Sequence, residues 1–171
     1  MRRRPDPSEY FEYYRAYTGL VPDGDIVSIL RAQFGDTASL LKDIPEEKAK
    51  FRYAPGKWTL KEVVLHTLDI EWVFTARALH FARAVPGALP GVEQDDMMVV
   101  ANVDARPLPA LLAEWRHLRQ AGALFFEGLD AAGWGREGVA SGRSFTVRSI
   151  AYIIAGHERH HVNVIRERYL P

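Results

Sequence analysis

The chain contains no cysteine. That absence excludes disulfides, thiolate metal ligands and a thiol nucleophile together, so any metal here must be held by nitrogen and oxygen. Net charge is missing as well: Lys plus Arg and Asp plus Glu each number 22, which leaves no field to concentrate nucleic acid or an anionic membrane surface. No stretch approaches the roughly 20 apolar residues that span a bilayer. The basic opening Met1-Arg2-Arg3-Arg4 is followed by Pro5, Asp6 and Pro7, where a secretory signal needs an apolar run. The expectation is a cytoplasmic protein with no nucleic-acid or membrane partner. Internal repeats, low-complexity runs and domain linkers are also lacking. What remains is 171 residues with 47% hydrophobic content, enough for a single substantial core, so residues 1–171 read as one domain.

Residues 1–22 form an arm in which Tyr10, Tyr13, Tyr14 and Tyr17 stand at helical spacing behind Ser8, a candidate cap for a short helix. Its expected role is packing onto the rest of the chain. Val27, Leu30, Phe34, Thr37, Leu41 and Ile44 then keep a three-four spacing until Pro45, which predicts the first helix. Thr59-Leu60-Lys61-Glu62 has the form of a capping box, with Trp58 and Val63 as its hydrophobic staple, so a second helix starts there and runs to about Arg83. Residues 84–106 make a long connection carrying Glu93, Asp95 and Asp96. Antiparallel neighbours need only a few residues between them, so this length implies a crossover or a functional loop. A third helix follows Pro107, with Leu111, Trp115, Leu118 and Phe125 as its stripe and Gly128 and Gly133 at its end. The glycine-rich run 134–144 reads as a small hairpin or an irregular loop, and a fourth helix spans about Phe145 to Arg168. The fold class is all-α, a four-helix bundle with a long crossover connection.

The chemistry concentrates in Gly156-His157-Glu158-Arg159-His160-His161. His157 and His161 are four residues apart and share a face with Val147, Ile150, Ile154 and Val164, so two imidazoles point into the bundle. Buried ring nitrogens need partners, and a divalent metal uses both at once. His66, one turn from Val63 and Ile70, is the best third ligand. Three imidazoles leave zinc, nickel or a similar ion with an open position, the arrangement of a catalytic site. The alternative is a set of core histidines hydrogen-bonded to backbone or carboxylates. Asp69 reads as an orienting partner for an imidazole or as a surface charge, and His160 as a neighbouring group or alternate ligand. Arg77 and Arg159 could serve an anionic substrate, although surface salt bridges are the commoner fate of such residues.

Two patterns mislead. His157-Glu158-Arg159-His160-His161 satisfies the H-E-x-x-H pattern of zinc proteases with Glu158 as base, but only ten residues follow His161, too few for the usual downstream ligand. Glu158 is expected to be a solvated helix charge. Glu158 with His161, and Glu114 with His117, also match the pairs of di-iron bundles. Glu114 and His117 flank Trp115 away from the Leu111 and Leu118 stripe, so they should face solvent, as should His80.

Tyr53-Ala54-Pro55-Gly56-Lys57-Trp58-Thr59-Leu60-Lys61-Glu62, then His66-Thr67-Leu68-Asp69, then Gly156 to His161 together resemble the DinB-like family of four-helix metalloproteins, including its YfiT-type metal-dependent hydrolases. The similarity runs from about Asp23 to Leu170. It implies a crossover bundle, a divalent metal on His66, His157 and His161, and a homodimer. It also implies an enzyme in which metal-activated water or a low-molecular-weight thiol cosubstrate attacks a small electrophilic substrate, as a hydrolase or thiol S-transferase. A non-catalytic metal-binding stress protein or dimeric interaction module is the alternative. The acidic loop and the tyrosine-rich arm have no match in the family pattern.

Overall fold

The computed structural model describes residues 3–170, so Met1 and Arg2 of the basic opening lie outside the described residues. Four long helices build the molecule: α1 (Ile26–Leu41), α2 (Leu60–Ala82), α3 (Leu108–Glu127) and α4 (Val147–Val164). Each start has a local cause. The Asp25 side chain accepts from the Ser28 amide at 2.9 Å, and the Thr146 hydroxyl accepts from the Ser149 amide at 3.0 Å. At α2 the capping box is complete, with Thr59 Oγ1 accepting from the Glu62 amide at 3.1 Å and the Glu62 carboxylate accepting from the Thr59 amide at 2.6 Å. Such a cap contributes about 1 kcal/mol. Gly128, rather than Gly133, caps α3; Gly133 belongs to a separate turn of helix, Ala131–Gly135. The glycine-rich run is a hairpin of β1 (Glu137–Ala140) and β2 (Arg143–Thr146). At its C-terminal end α4 widens into a π turn, Ile165–Tyr169.

The direction of each helix follows from two apolar clusters. One gathers Val27 and Leu30 of α1, Phe74 and Phe81 of α2, Ala123 and Phe126 of α3, and Ile150 and Ile154 of α4. The other gathers Phe34 and Leu41, then Val63 and Leu68, then Leu111 and Trp115, then Ile165 and Tyr169 beyond α4. Hence α1 and α4 run one way, and α2 and α3 run the other. The parallel pair α2 and α3 requires a crossover, which residues 83–107 supply, with a helix at Gln94–Val100 on the way. In cross-section α4 packs against α1 and α2, and α3 packs against the same two, so chain neighbours α1 and α2 lie diagonally. No helix among the described residues is long and apolar enough to cross a membrane.

Between the two apolar clusters lies a polar layer. Arg119 on α3 grips Glu71 on α2 through Nε at 2.7 Å and a terminal nitrogen at 2.6 Å, and reaches the Leu30 carbonyl of α1 at 2.9 Å. The same guanidinium pairs with Glu158 of α4 at 2.7 Å, and Trp115 Nε1 donates to Glu71 at 2.6 Å. All four helices meet here.

Candidate metal centre

His66 on α2 and His157 on α4 are buried, and His161 is nearly so. Their Nε2 atoms converge: His157 Nε2 lies 3.1 Å from His66 Nε2 and 3.1 Å from His161 Nε2. The ligand atoms of the triad all fall within 4.8 Å of one another. Around a tetrahedral ion with bonds of about 2.05 Å, neighbouring nitrogens stand about 3.3 Å apart, so His157 stands at nearly the edge length of a coordination polyhedron from each of the other two donors. The donor set therefore fits a divalent transition metal.

The electrostatics favour the ligating form. Burial brings His66 down to about 4 and His161 down to about 3, and the neighbouring histidines add to each effect because a second proton among these rings would be repelled. His157 is held well below its ordinary value, first by burial and then by His161, His66 and His160. All three rings are thus neutral at physiological pH, as metal ligation requires. Among the described residues no fourth histidine or carboxylate joins this group.

Two clefts open onto the triad. The outer one, about 450 Å³, is lined by Tyr53, Trp58, His160, His161 and Tyr169. The inner one, about 300 Å³, is lined by Tyr13, Tyr14, Tyr17, His66, Arg77 and His157. Gln94 and Asp95 of the crossover line both, so this connection is a wall of the clefts as well as a link. Another cavity, about 770 Å³, lies between α1 and α3 and is lined by no imidazole. The histidine donors converge elsewhere.

Several expectations need correction. Glu158 is not a solvated charge: it is 1% exposed, and Thr37 Oγ1 donates to one carboxylate oxygen at 2.5 Å while Arg119 and Gln33 hold the other. With both oxygens committed to the polar layer, it cannot act as the base of a protease-like site. Asp69 makes no hydrogen bond to an imidazole among the described residues. Its carboxyl is raised by burial and then by Glu114, which places it toward α3. The tyrosine arm does more than pack: Tyr17 meets the His157 ring edge-on at 5.5 Å and the His160 ring at 5.2 Å. Asp6, not Ser8, caps its first turn. Trp58 lies against His66, with ring centroids 4.8 Å apart. His117 is exposed as expected, whereas Glu114 accepts from Trp72 Nε1 at 3.0 Å and pairs with Arg106. His80 is only half-buried and approaches the Gly87 carbonyl at 3.4 Å. Arg77 is buried and pairs with no carboxylate among the described residues.

A family model described as the DinB superfamily matches residues 29–165. Among solved structures, the chain is similar to YfiT from Bacillus subtilis, described as a probable metal-dependent hydrolase with an unusual four-helix bundle topology. The TM-score is 0.74 at 15% identity, covering 95% of this chain and 89% of that one. None of the curated proteins compared with it matches. At this identity the structural likeness carries the fold.

Proposed function

The chain belongs to the DinB superfamily, and from that premise we propose that it is an enzyme using a divalent metal, zinc or nickel, held by His66, His157 and His161. The reaction is attack on a small electrophilic substrate by water or by a low-molecular-weight thiol, hydrolysis being the reading favoured by the description of YfiT. The observation that carries this is the convergence of three neutral imidazoles with two open clefts beside them. A structural metal is closed off by a fourth protein ligand; a catalytic one keeps a position free. A metal bound there supplies Lewis acidity, making a bound water or thiol a nucleophile at neutral pH.

The chain's own residues supply the rest. Trp58 walls the His66 ring and Tyr17 walls the His157 ring. The Tyr17 hydroxyl is pushed up by burial and by Tyr13, so it stays protonated and keeps a proton to donate. His160, half-buried and lowered by burial, is neutral and lines the outer cleft, where it can accept a proton from the nucleophile. Pairing of two copies belongs to the same proposal and rests on the family resemblance.

Elemental analysis tests the metal. Untagged protein purified without added metal should carry about one equivalent per chain, and His66→Ala and His157→Ala should each lose it. A parent that takes up neither zinc nor nickel would reduce the triad to core histidines.

A further inference from the structure

Three cations stand out among the buried residues: Lys61, Arg77 and Arg119. Lys61 pairs with Glu46, and Arg119 pairs with Glu71 and Glu158. Arg77 is 5% exposed, yet none of the ion pairs among the described residues includes it. Its partners among the described residues are neutral: one terminal nitrogen donates to the Pro90 carbonyl at 3.0 Å and to Ser141 Oγ at 3.2 Å, and the guanidinium carbon stands 5.4 Å from the Phe74 ring centre. A buried charge without a counter-ion is costly, because neutral dipoles replace only part of its hydration. The cost is tolerable where a ligand brings the missing charge.

The position supports such a ligand. His66, Ile70, Val73 and Arg77 follow at three-four steps along one face of α2, and all line the inner cleft. Arg77 lies eleven positions after His66, a rise of about 16 Å, and both side chains lean toward the helix N-terminus, the arginine reaching further, so the guanidinium and the triad are on the order of 10–15 Å apart. Tyr13, Tyr14, Phe74 and Val92 wall the space between. Glu93 and Asp95 also line this cleft but are exposed at its rim, where they repel an anion that stops short and disfavour a dianion.

We propose that Arg77 binds the carboxylate of an elongated monoanionic substrate whose apolar or aromatic body lies along the tyrosine wall and whose reactive end reaches the histidine triad. This rests on the metal-enzyme reading for the reactive end alone. The carboxylate end is a property of Arg77 and the cleft, and it exists whether or not the triad holds an ion.

The test therefore uses metal-free full-length protein, titrated calorimetrically with phenylbutanoate and with its neutral counterpart phenylbutanol. The carboxylate should bind roughly tenfold tighter or more, the ratio expected when one charge-assisted hydrogen-bonded pair separates the two ligands. Arg77→Gln should bring the two affinities together, and Arg77→Lys should keep part of the difference, with circular dichroism confirming that each variant folds. The comparison in the parent protein needs no variant, so it decides even if both substitutions unfold the chain. Equal affinities, no binding of either compound, or a preference that persists in folded Arg77→Gln would each overturn the proposal. Because no metal is present, loss of the carboxylate preference and loss of metal uptake are read separately.

Discussion

At the level of single residues, the pattern His157-Glu158-x-x-His161 is split by geometry into two jobs. Adjacent residues on a helix point about 100° apart, so His157 faces the clefts while Glu158 faces the centre of the bundle. There it shares Arg119 with Glu71, and the two carboxylates outnumber the guanidinium. Removing Arg119 would strand both acids, which costs about 3–5 kcal/mol for a buried pair. Arg119→Leu should accordingly lower the denaturation midpoint severely. Glu158→Gln should be mild, about 1–2 kcal/mol, because its amide can face the Thr37 hydroxyl while its oxygen keeps Arg119 and Gln33. It should also retain the metal equivalent, whereas a base at the site would show loss of turnover in any substrate screen at constant metal content. Equal destabilisation by the two substitutions would mean that the layer is not organised around the guanidinium.

At the level of elements, the arm carrying Tyr13, Tyr14 and Tyr17 depends on Gly156 in α4. A Cβ there would lie 2.1 Å from the Tyr17 carbonyl oxygen, which is backbone and cannot rotate away. Gly156→Ala should strengthen α4 by helix propensity, about 1 kcal/mol in isolation, and nevertheless displace the arm. Limited trypsin digestion should then cut at exposed Arg15 faster than in the parent while the helical signal and metal content hold; an unchanged cleavage rate would mean that the arm tolerates the methyl by shifting as a unit. This dependence shows what the sequence could and could not yield. Helix starts, the capping box, the crossover and the inward histidines are local or periodic features, and all four can be read from spacing. The arm's contact with His157, the burial of Glu158 and the unpaired state of Arg77 are set by residues distant along the chain, such as Gln33 with Glu158 or Ser141 with Arg77. One signal was available: Ile154, Glu158 and Val162 make a second stripe on α4 that Ile165 continues in the π turn, and Leu68, Glu71, Phe74 and Ala78 make one on α2, so a carboxylate on each falls among core positions.

At the level of the whole molecule, placing three neutral imidazoles in a bundle couples its stability to protons and to metal. In the unfolded chain each ring titrates near 6.5, whereas in the folded chain His66 titrates near 4 and His161 near 3, with His157 also well below its ordinary value. Below pH 6.5 the unfolded state binds more protons than the folded state, so stability rises with pH through the window from about 3 to 6.5 and levels off above it. Metal acts on the same nitrogens from the other side, because it binds the folded triad and must displace protons as the pH falls. At pH 7, zinc at a free concentration of about 100 times its dissociation constant should add about 2.7 kcal/mol to stability. Thermal melts of metal-free protein should therefore show a midpoint that falls steadily from pH 7 to pH 5, with a gain on adding zinc that is large at pH 7 and shrinks toward pH 5. His66→Gln combined with His157→Gln should flatten the pH slope and abolish the zinc gain together. If the double variant kept the slope, groups other than the triad would carry the proton linkage. If it kept the zinc gain, the ion would be bound elsewhere on the bundle.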